Sequence, residues 1–162
     1  MLQRLGFVDP VKFSFWVHKY DHLLLPETWN EKVIVNSGRY SMWFGVGVNL
    51  GFKNTFFNGY PIDQGLKKRC DQFLPGFNSL LLYRYDPGSE LKVHVDREVF
   101  DPKVVIINMS QDDIFGQGST KFIYGGDHHL LKNGEVIQID SRVKHGVFRV
   151  DQVRYSLSLR VV

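Results

Sequence analysis

The chain has 162 residues, of which 43% are hydrophobic, 14% aromatic and 23% charged. This balance suits one packed core of ordinary size and excludes disordered and collagen-like classes. The formal net charge of +3, from 20 Lys and Arg against 17 Asp and Glu, is compatible with a polyanionic partner but too small for binding by charge alone. With Cys70 the only cysteine, no internal disulfide or thiolate metal cluster can form, and any metal must be held by imidazole and carboxylate.

The opening residues Met1-Leu2-Gln3-Arg4-Leu5-Gly6 lack the order of basic, apolar and small residues that marks a signal peptide. No apolar run approaches the roughly 20 residues needed to cross a bilayer. A soluble cytoplasmic protein, monomeric and with no membrane partner, is expected. The chain reads as a single domain, 1–162, in which about 1–77 supply a helix and a substrate lid and about 78–162 the core. Residues 33–60 are rich in glycine and aromatics, including Trp43, Phe44, Phe52, Phe56, Phe57 and Tyr60, and read as an irregular hairpin or lid. From Pro61 to Leu74, the residues Ile62, Leu66, Cys70 and Phe73 fall on one helical stripe. Pro61 suits the first turn and Gly76 lies just past the end, so one amphipathic helix covering an outer sheet face is predicted.

Beyond this helix the pattern changes. Turn signals recur at Asp86-Pro87-Gly88, Gly125-Gly126-Asp127 and Asn133-Gly134, separated by short β-branched or alternating runs. These predict strands near 78–85, 91–96, 103–109, 120–124, 135–139, 145–149 and 154–161. Short strands at this spacing point to a mostly β fold, a jelly roll or double-stranded β-helix whose sheets enclose a ligand cavity. One or two helices and an N-terminal lid would support it.

On a strand, residues two apart face the same way, so His94 and Asp96 both project inward from Leu91-Lys92-Val93-His94-Val95-Asp96 while Val93 and Val95 face outward. His145, in Val143-Lys144-His145-Gly146-Val147, can be brought alongside by a neighbouring strand, and Gly146 keeps that approach uncrowded. Two imidazoles and one carboxylate occupy one face of an octahedral metal and leave three positions open, the ligand set of non-haem Fe(II) oxygenases. A lone His-x-Asp is as readily a surface histidine beside a turn carboxylate, so the combination carries the reading.

The last predicted strand, Arg154-Tyr155-Ser156-Leu157-Ser158-Leu159-Arg160, alternates cleanly, with Arg and Ser on one face and Tyr and Leu on the other. Such a pattern also describes an exposed edge strand with a solvated face. The two arginines stand about 20 Å apart by strand rise, a span that two long side chains leaning together can close around a short dicarboxylate. Guanidinium suits this because it stays charged and grips carboxylate with two parallel bonds.

The segment from about 78 to 160 resembles the AlkB-type Fe(II)/2-oxoglutarate dioxygenases. The motifs that carry the resemblance are Arg84-Tyr85-Asp86-Pro87-Gly88, Leu91 to Asp96, Asp140-Ser141-Arg142, His145-Gly146 and Arg154 to Arg160, in that order. The resemblance implies that His94, Asp96 and His145 hold Fe(II), and that Arg154 and Tyr85 take the distal carboxylate of 2-oxoglutarate. It places Arg160 near the metal-side carboxylate and leaves a metal position for O2. Two positions depart from the family pattern, Tyr83 and Ser156 standing where it has asparagine, and both bear on how the co-substrate is held.

Upstream, Gly51-Phe52 and Gly59-Tyr60 fall where AlkB-type proteins carry lid aromatics, so Phe52 and Tyr60 are candidates to stack on a flipped base. Packing on the core is the competing explanation. Glu98 matches an acidic position that meets an exocyclic amine, or is an ordinary solvated carboxylate. Arg142 is a candidate phosphate contact, or forms an internal salt bridge to Asp140 or a neighbour. The implied activity is oxidative demethylation of bases such as 1-methyladenine or 3-methylcytosine in single-stranded or flipped DNA or RNA. A 2-oxoglutarate-dependent hydroxylase acting on a protein side chain or small molecule would need the same triad and arginines, and a non-catalytic binding module would not.

Overall fold

The computed structural model describes residues 1–162. Its strands, in chain order, are β1 (Gln3–Phe7), β2 (Leu25–Pro26), β3 (Thr28–Trp29), β4 (Lys32–Val33), β5 (Arg39–Asn49), β6 (Thr55–Asn58) and β7 (Ser79–Tyr85). Then follow β8 (Leu91–His94), β9 (Lys103–Ser110), β10 (Thr120–Tyr124), β11 (Asp127–Leu131), β12 (Glu135–Asp140), β13 (His145–Val147) and β14 (Arg154–Arg160). Two α-helices, α1 (Pro10–Tyr20) and α2 (Gln64–Asp71), precede β7. The larger sheet runs β1-β12-β9-β14-β7-β5-β2, with β6 paired to β5, and the smaller runs β11-β10-β13-β8. The pairings within both sheets are antiparallel, and the fold is the jelly roll expected from the strand spacing.

Period-two alternation sorts each strand of the large sheet between two cores. Val105, Ile107 and Met109 of β9, Leu80 and Leu82 of β7, and Leu157 and Leu159 of β14 face the helices, where they meet Phe13 and Val17 of α1 and Leu66 and Cys70 of α2. Val104 and Ile106 of β9, Ile137 and Ile139 of β12, and Tyr85 of β7 face the smaller sheet, against Phe122, Tyr124, Leu131 and Val147. Each fully buried Leu or Ile contributes about 1.5–3 kcal/mol. Both faces of β14 are therefore covered. It lies between β9 and β7, so its Arg and Ser residues face the space between the sheets and not solvent.

The chain before residue 78 departs most from expectation. Residues 33–60, read as an irregular hairpin or lid, contain the eleven-residue strand β5, which pairs with β7 over seven consecutive positions inside the large sheet. Glycines hid this strand. Gly45 has φ +70 and its missing Cβ would stand 2.2 Å from the Asn78 carbonyl oxygen, so glycine is required where the backbones meet. Helix α1 is the second of the one or two helices expected, at a place the sequence reading had not assigned; Asp9 caps it, accepting from the Val11 and Lys12 amides. The second helix spans Gln64–Asp71, shorter than 61–74, because Asp63 and not the proline begins it, accepting from the Leu66 amide at 3.0 Å. Strand β11 follows the Gly125-Gly126 turn and was not predicted.

Candidate metal centre and carboxylate socket

β8 and β13 pair with His94 opposite His145, and Asp96 follows just beyond the end of β8, where its amide donates to the Ser141 carbonyl. The neighbouring Val93 and Val95 are about half exposed, on the outer face. His94 Nε2 lies 3.3 Å and His145 Nε2 3.1 Å from Asp96 Oδ1. His145 and the Asp96 side chain are buried, whereas the His94 side chain is 38% exposed and opens to the cavity mouth.

The protonation pattern fits a metal. His94 Nδ1 lies 2.7 Å from the Lys92 carbonyl and His145 Nδ1 2.8 Å from that of Val143. A carbonyl only accepts, so both Nδ1 atoms carry their protons and both Nε2 atoms turn toward the carboxylate. Asp96 is held far below the usual carboxylate range: hydrogen bonds from the two histidines and the charge of Arg160 outweigh its burial. The Asp96 hydrogen bond, helped by the Lys92 carbonyl, raises His94 above its ordinary value against the effect of burial. Two ring nitrogens and an ionised oxygen facing one point require a cation there, proton or metal. The three ligand atoms lie within 4.8 Å of one another, which suits one ion such as Fe(II).

Arg160 Nη1 approaches Asp96 Oδ2 to 2.5 Å, but the pair is not aligned as a hydrogen bond. Asp96 Oδ2 and Arg160 Nε and Nη1 are buried with no hydrogen-bond partner, so this cluster is polar and incomplete. The Arg160 guanidinium rests on the Phe100 ring, 4.4 Å from its centroid.

Gly146 sets the spacing. A Cβ there would stand 2.6 Å from the Leu91 carbonyl oxygen and 3.1 Å from the Val93 amide, so only glycine lets β8 close on β13. Gly146→Ala is expected to push β8 away, at a cost of about 1–3 kcal/mol, and to misplace His94. Titration with Mn(II) should then show affinity reduced roughly tenfold or more, in line with the sensitivity of metal sites to ligand orientation.

The metal cluster lies in a cavity of about 820 Å³ between the sheets. Its lining includes all eight residues expected at the metal and the co-substrate: His94, Asp96, His145, Tyr83, Tyr85, Arg154, Ser156 and Arg160. Arg154 is 1% exposed. Its Nε donates to Asn108 Oδ1 at 2.8 Å and its guanidinium lies 4.7 Å from the Tyr85 ring centroid, yet no carboxylate pairs with it. Asn108 is in turn held by bonds to Ser110 Oγ and the Lys132 carbonyl, which orients its oxygen toward Arg154. A buried cation that no carboxylate balances is a candidate socket for an anion. Tyr83 sits beside Ser156 on the same floor, its phenol pushed up by burial.

The four residues expected at a bound base do not line this cavity. Phe52 is 83% exposed and stands edge-on to Trp29, which does line it. Glu98 is exposed. Tyr60 packs on Phe44 and lines an adjoining cavity of about 440 Å³. The Arg142 guanidinium donates to the carbonyls of Asp96, Arg97, Glu98 and Phe100, so it clamps the segment that follows the metal ligands instead of pairing with Asp140. Glu27 and Arg39, which sequence reasoning missed, also line the cavity. For Arg39 the signal was present, since Arg39-Tyr40-Ser41-Met42 repeats the alternation of Arg154-Tyr155-Ser156-Leu157.

No sequence-family model and no curated protein matches this chain. Solved structures do. A prolyl-4-hydroxylase from Pseudomonas putida aligns with TM-score 0.66 at 16% identity, covering 99% of this chain and 91% of its own. OsALKBH1, an AlkB homologue, aligns with TM-score 0.68 at 16% identity, covering 98% and 97%. The viral collagen prolyl hydroxylase of Paramecium Bursaria Chlorella virus-1, solved as a 2OG complex, aligns with TM-score 0.62 at 15% identity, covering 99% and 96%. The chain thus has the fold of the 2OG-Fe(II) oxygenases, with a His–Asp–His cluster that fits Fe(II). No helix is long and apolar enough to cross a membrane.

Proposed function

We propose that this chain is an Fe(II)/2-oxoglutarate-dependent dioxygenase that removes methyl groups from N-alkylated bases, such as 1-methyladenine or 3-methylcytosine, in single-stranded or flipped DNA or RNA. The observation that carries the oxygenase reading is the pairing, in one cavity, of a three-ligand cation site with a buried arginine that lacks an anion. His94, Asp96 and His145 hold the metal, and Arg154 with Tyr85 takes the distal carboxylate of 2-oxoglutarate. Arg160 balances Asp96 beside the metal-side carboxylate, and Ser156 and Tyr83 form the floor. When bound, Fe(II) and 2-oxoglutarate supply the oxidation: O2 is consumed, 2-oxoglutarate becomes succinate and CO2, and the hydroxylated N-methyl group leaves as formaldehyde.

The residues themselves provide position and dryness. Asp96, held far below the usual carboxylate range, supplies the charged ligand of the cation site. Leu81, Ile106, Phe122 and Val147 line the cavity with apolar surface, which strengthens the charge interactions inside. Trp29 at the rim, with Arg97 5.3 Å from its ring centroid, offers a stacking surface and a cation beside a nucleic-acid strand. Resemblance of the ordered motifs through Arg160 supports the nucleic-acid substrate.

A second reading, hydroxylation of a protein side chain, is favoured by one observation: Phe52 and Glu98 lie outside the cavity. The test is to incubate the protein with Fe(II), 2-oxoglutarate and ascorbate and follow substrates by mass spectrometry. Methylated oligonucleotides should lose the mass of one methylene with matching formaldehyde. Gain of one oxygen on a proline-containing peptide, with oligonucleotides unchanged, would favour the second reading.

A further inference from the structure

A row of side chains crosses the large sheet from strand to strand. Tyr85 of β7 pairs with Arg154 of β14 on one side and with Arg39 of β5 on the other, so the three share one level of the pleat and one face. The Arg154 guanidinium lies 4.7 Å and that of Arg39 5.4 Å from the Tyr85 ring centroid. The phenol therefore stands between two cations.

The two cations differ in what neutralises them. Arg39 Nε donates to Glu27 Oε1 at 3.1 Å and Nη2 donates to Glu27 Oε2, a bidentate pair in which the side chains are 11% and 8% exposed. The remaining nitrogen, Nη1, donates to the Tyr85 hydroxyl oxygen at 3.4 Å. Tyr83 stacks on the same guanidinium, 4.8 Å from its ring centroid, and holds it in place. Arg154 has no such carboxylate. Arginine nitrogens only donate, so the Tyr85 proton finds no acceptor in either neighbour and is available to an anion in the cavity.

We propose that Arg39, locked by Glu27, is a positioning residue for the co-substrate: by donating to the Tyr85 hydroxyl it aims that group's proton at the carboxylate that Arg154 binds. The proposal rests on the reading of this cavity as a 2-oxoglutarate site. Glu27 has a definite part in it, since a fork already filled by one carboxylate does not compete for another. Arg39 thus acts through Tyr85 and never touches the co-substrate.

The test is calorimetric titration of 2-oxoglutarate into Mn(II)-loaded protein, for wild type, Arg39→Lys, Tyr85→Phe and the double variant. Arg39→Lys and Tyr85→Phe should each weaken binding by roughly tenfold, the size of one hydrogen bond to a charged group. The double variant should bind no worse than Tyr85→Phe alone, and Mn(II) affinity should stay within about twofold throughout. Removing Arg39 outright strands Glu27 as a buried lone charge, so Glu27→Gln with Arg39→Met serves as the second comparison and should lose the same tenfold. Unchanged affinity in both Arg39 variants, or losses that add in the double variant, overturn the role of Arg39. Failure of the wild type itself to take up 2-oxoglutarate overturns the co-substrate reading, a result distinct from the others.

Discussion

Asp96→Ala is expected to abolish both Mn(II) or Fe(II) binding and succinate formation, and to destabilise the metal-free protein as well. The carboxylate faces three partners, His94, His145 and Arg160, and its side chain is 7% exposed. Removing it leaves two imidazoles, too few to hold a hard cation in an open site, and leaves Arg160 as a buried charge without a counter-ion. Breaking one side of such a pair costs about 3–5 kcal/mol. Asp96→Asn keeps the volume and some polar contact, so it should fold better while losing metal just as fully. Equilibrium unfolding in chelator, with metal titration on each variant, separates the two effects. Metal affinity retained in both variants would remove the basis for the oxygenase reading.

The second large effect is expected at Arg154. In Arg154→Met, 2-oxoglutarate affinity should fall by about a hundredfold, the worth of a bidentate charge-assisted contact at about 1.4 kcal/mol per tenfold. Mn(II) affinity should not change, because Arg154 does not touch the metal ligands. Stability is expected to shift little. The substitution removes a desolvated cation that no carboxylate balances, which favours folding, and leaves Asn108 Oδ1 without its donor, which opposes it. Arg154→Lys should fail almost as badly in binding, because an ammonium keeps the charge without the planar fork. Thermal denaturation with and without 2-oxoglutarate reads this directly: wild type should gain about 2.7 kcal/mol at a hundredfold excess over the dissociation constant, and Arg154→Met almost none. An equal gain in both would mean that the carboxylate binds elsewhere.

Legibility in the sequence followed the range of the interaction. The strands from β7 to β14 were readable, apart from β11, because alternation and turn residues are local signals. His94 and Asp96 were placed on one face by their spacing of two. The same logic put Arg154, Ser156, Ser158 and Arg160 together, although it left solvent as an alternative for that face. β5 was hidden because Gly45 serves a close approach to the Asn78 main chain and Gly47 lies against the Phe57 ring, contacts that no local pattern reveals. Of the four candidate base-binding residues, Phe52 and Tyr60 came from a looser resemblance upstream, and Glu98 and Arg142 from positions within the matched segment 78–160. The fold turns Phe52 outward and engages Arg142 with main-chain carbonyls.

Residues within one strand take their facing from a period of two, so the chain alone determines which side chains can act together: His94 with Asp96, and Arg154 with Arg160. Which strands lie side by side, and at what offset, depends on pairing between segments tens of residues apart, since β8 meets β13, and β7 is flanked by β5 and β14. That register brings His145 opposite His94 and sets Arg39 beside Tyr85, and the packing of one sheet over the other presses Arg160 against Asp96. The cause is physical: facing is imposed by a residue's own backbone, whereas register is settled by the burial of two whole faces at once.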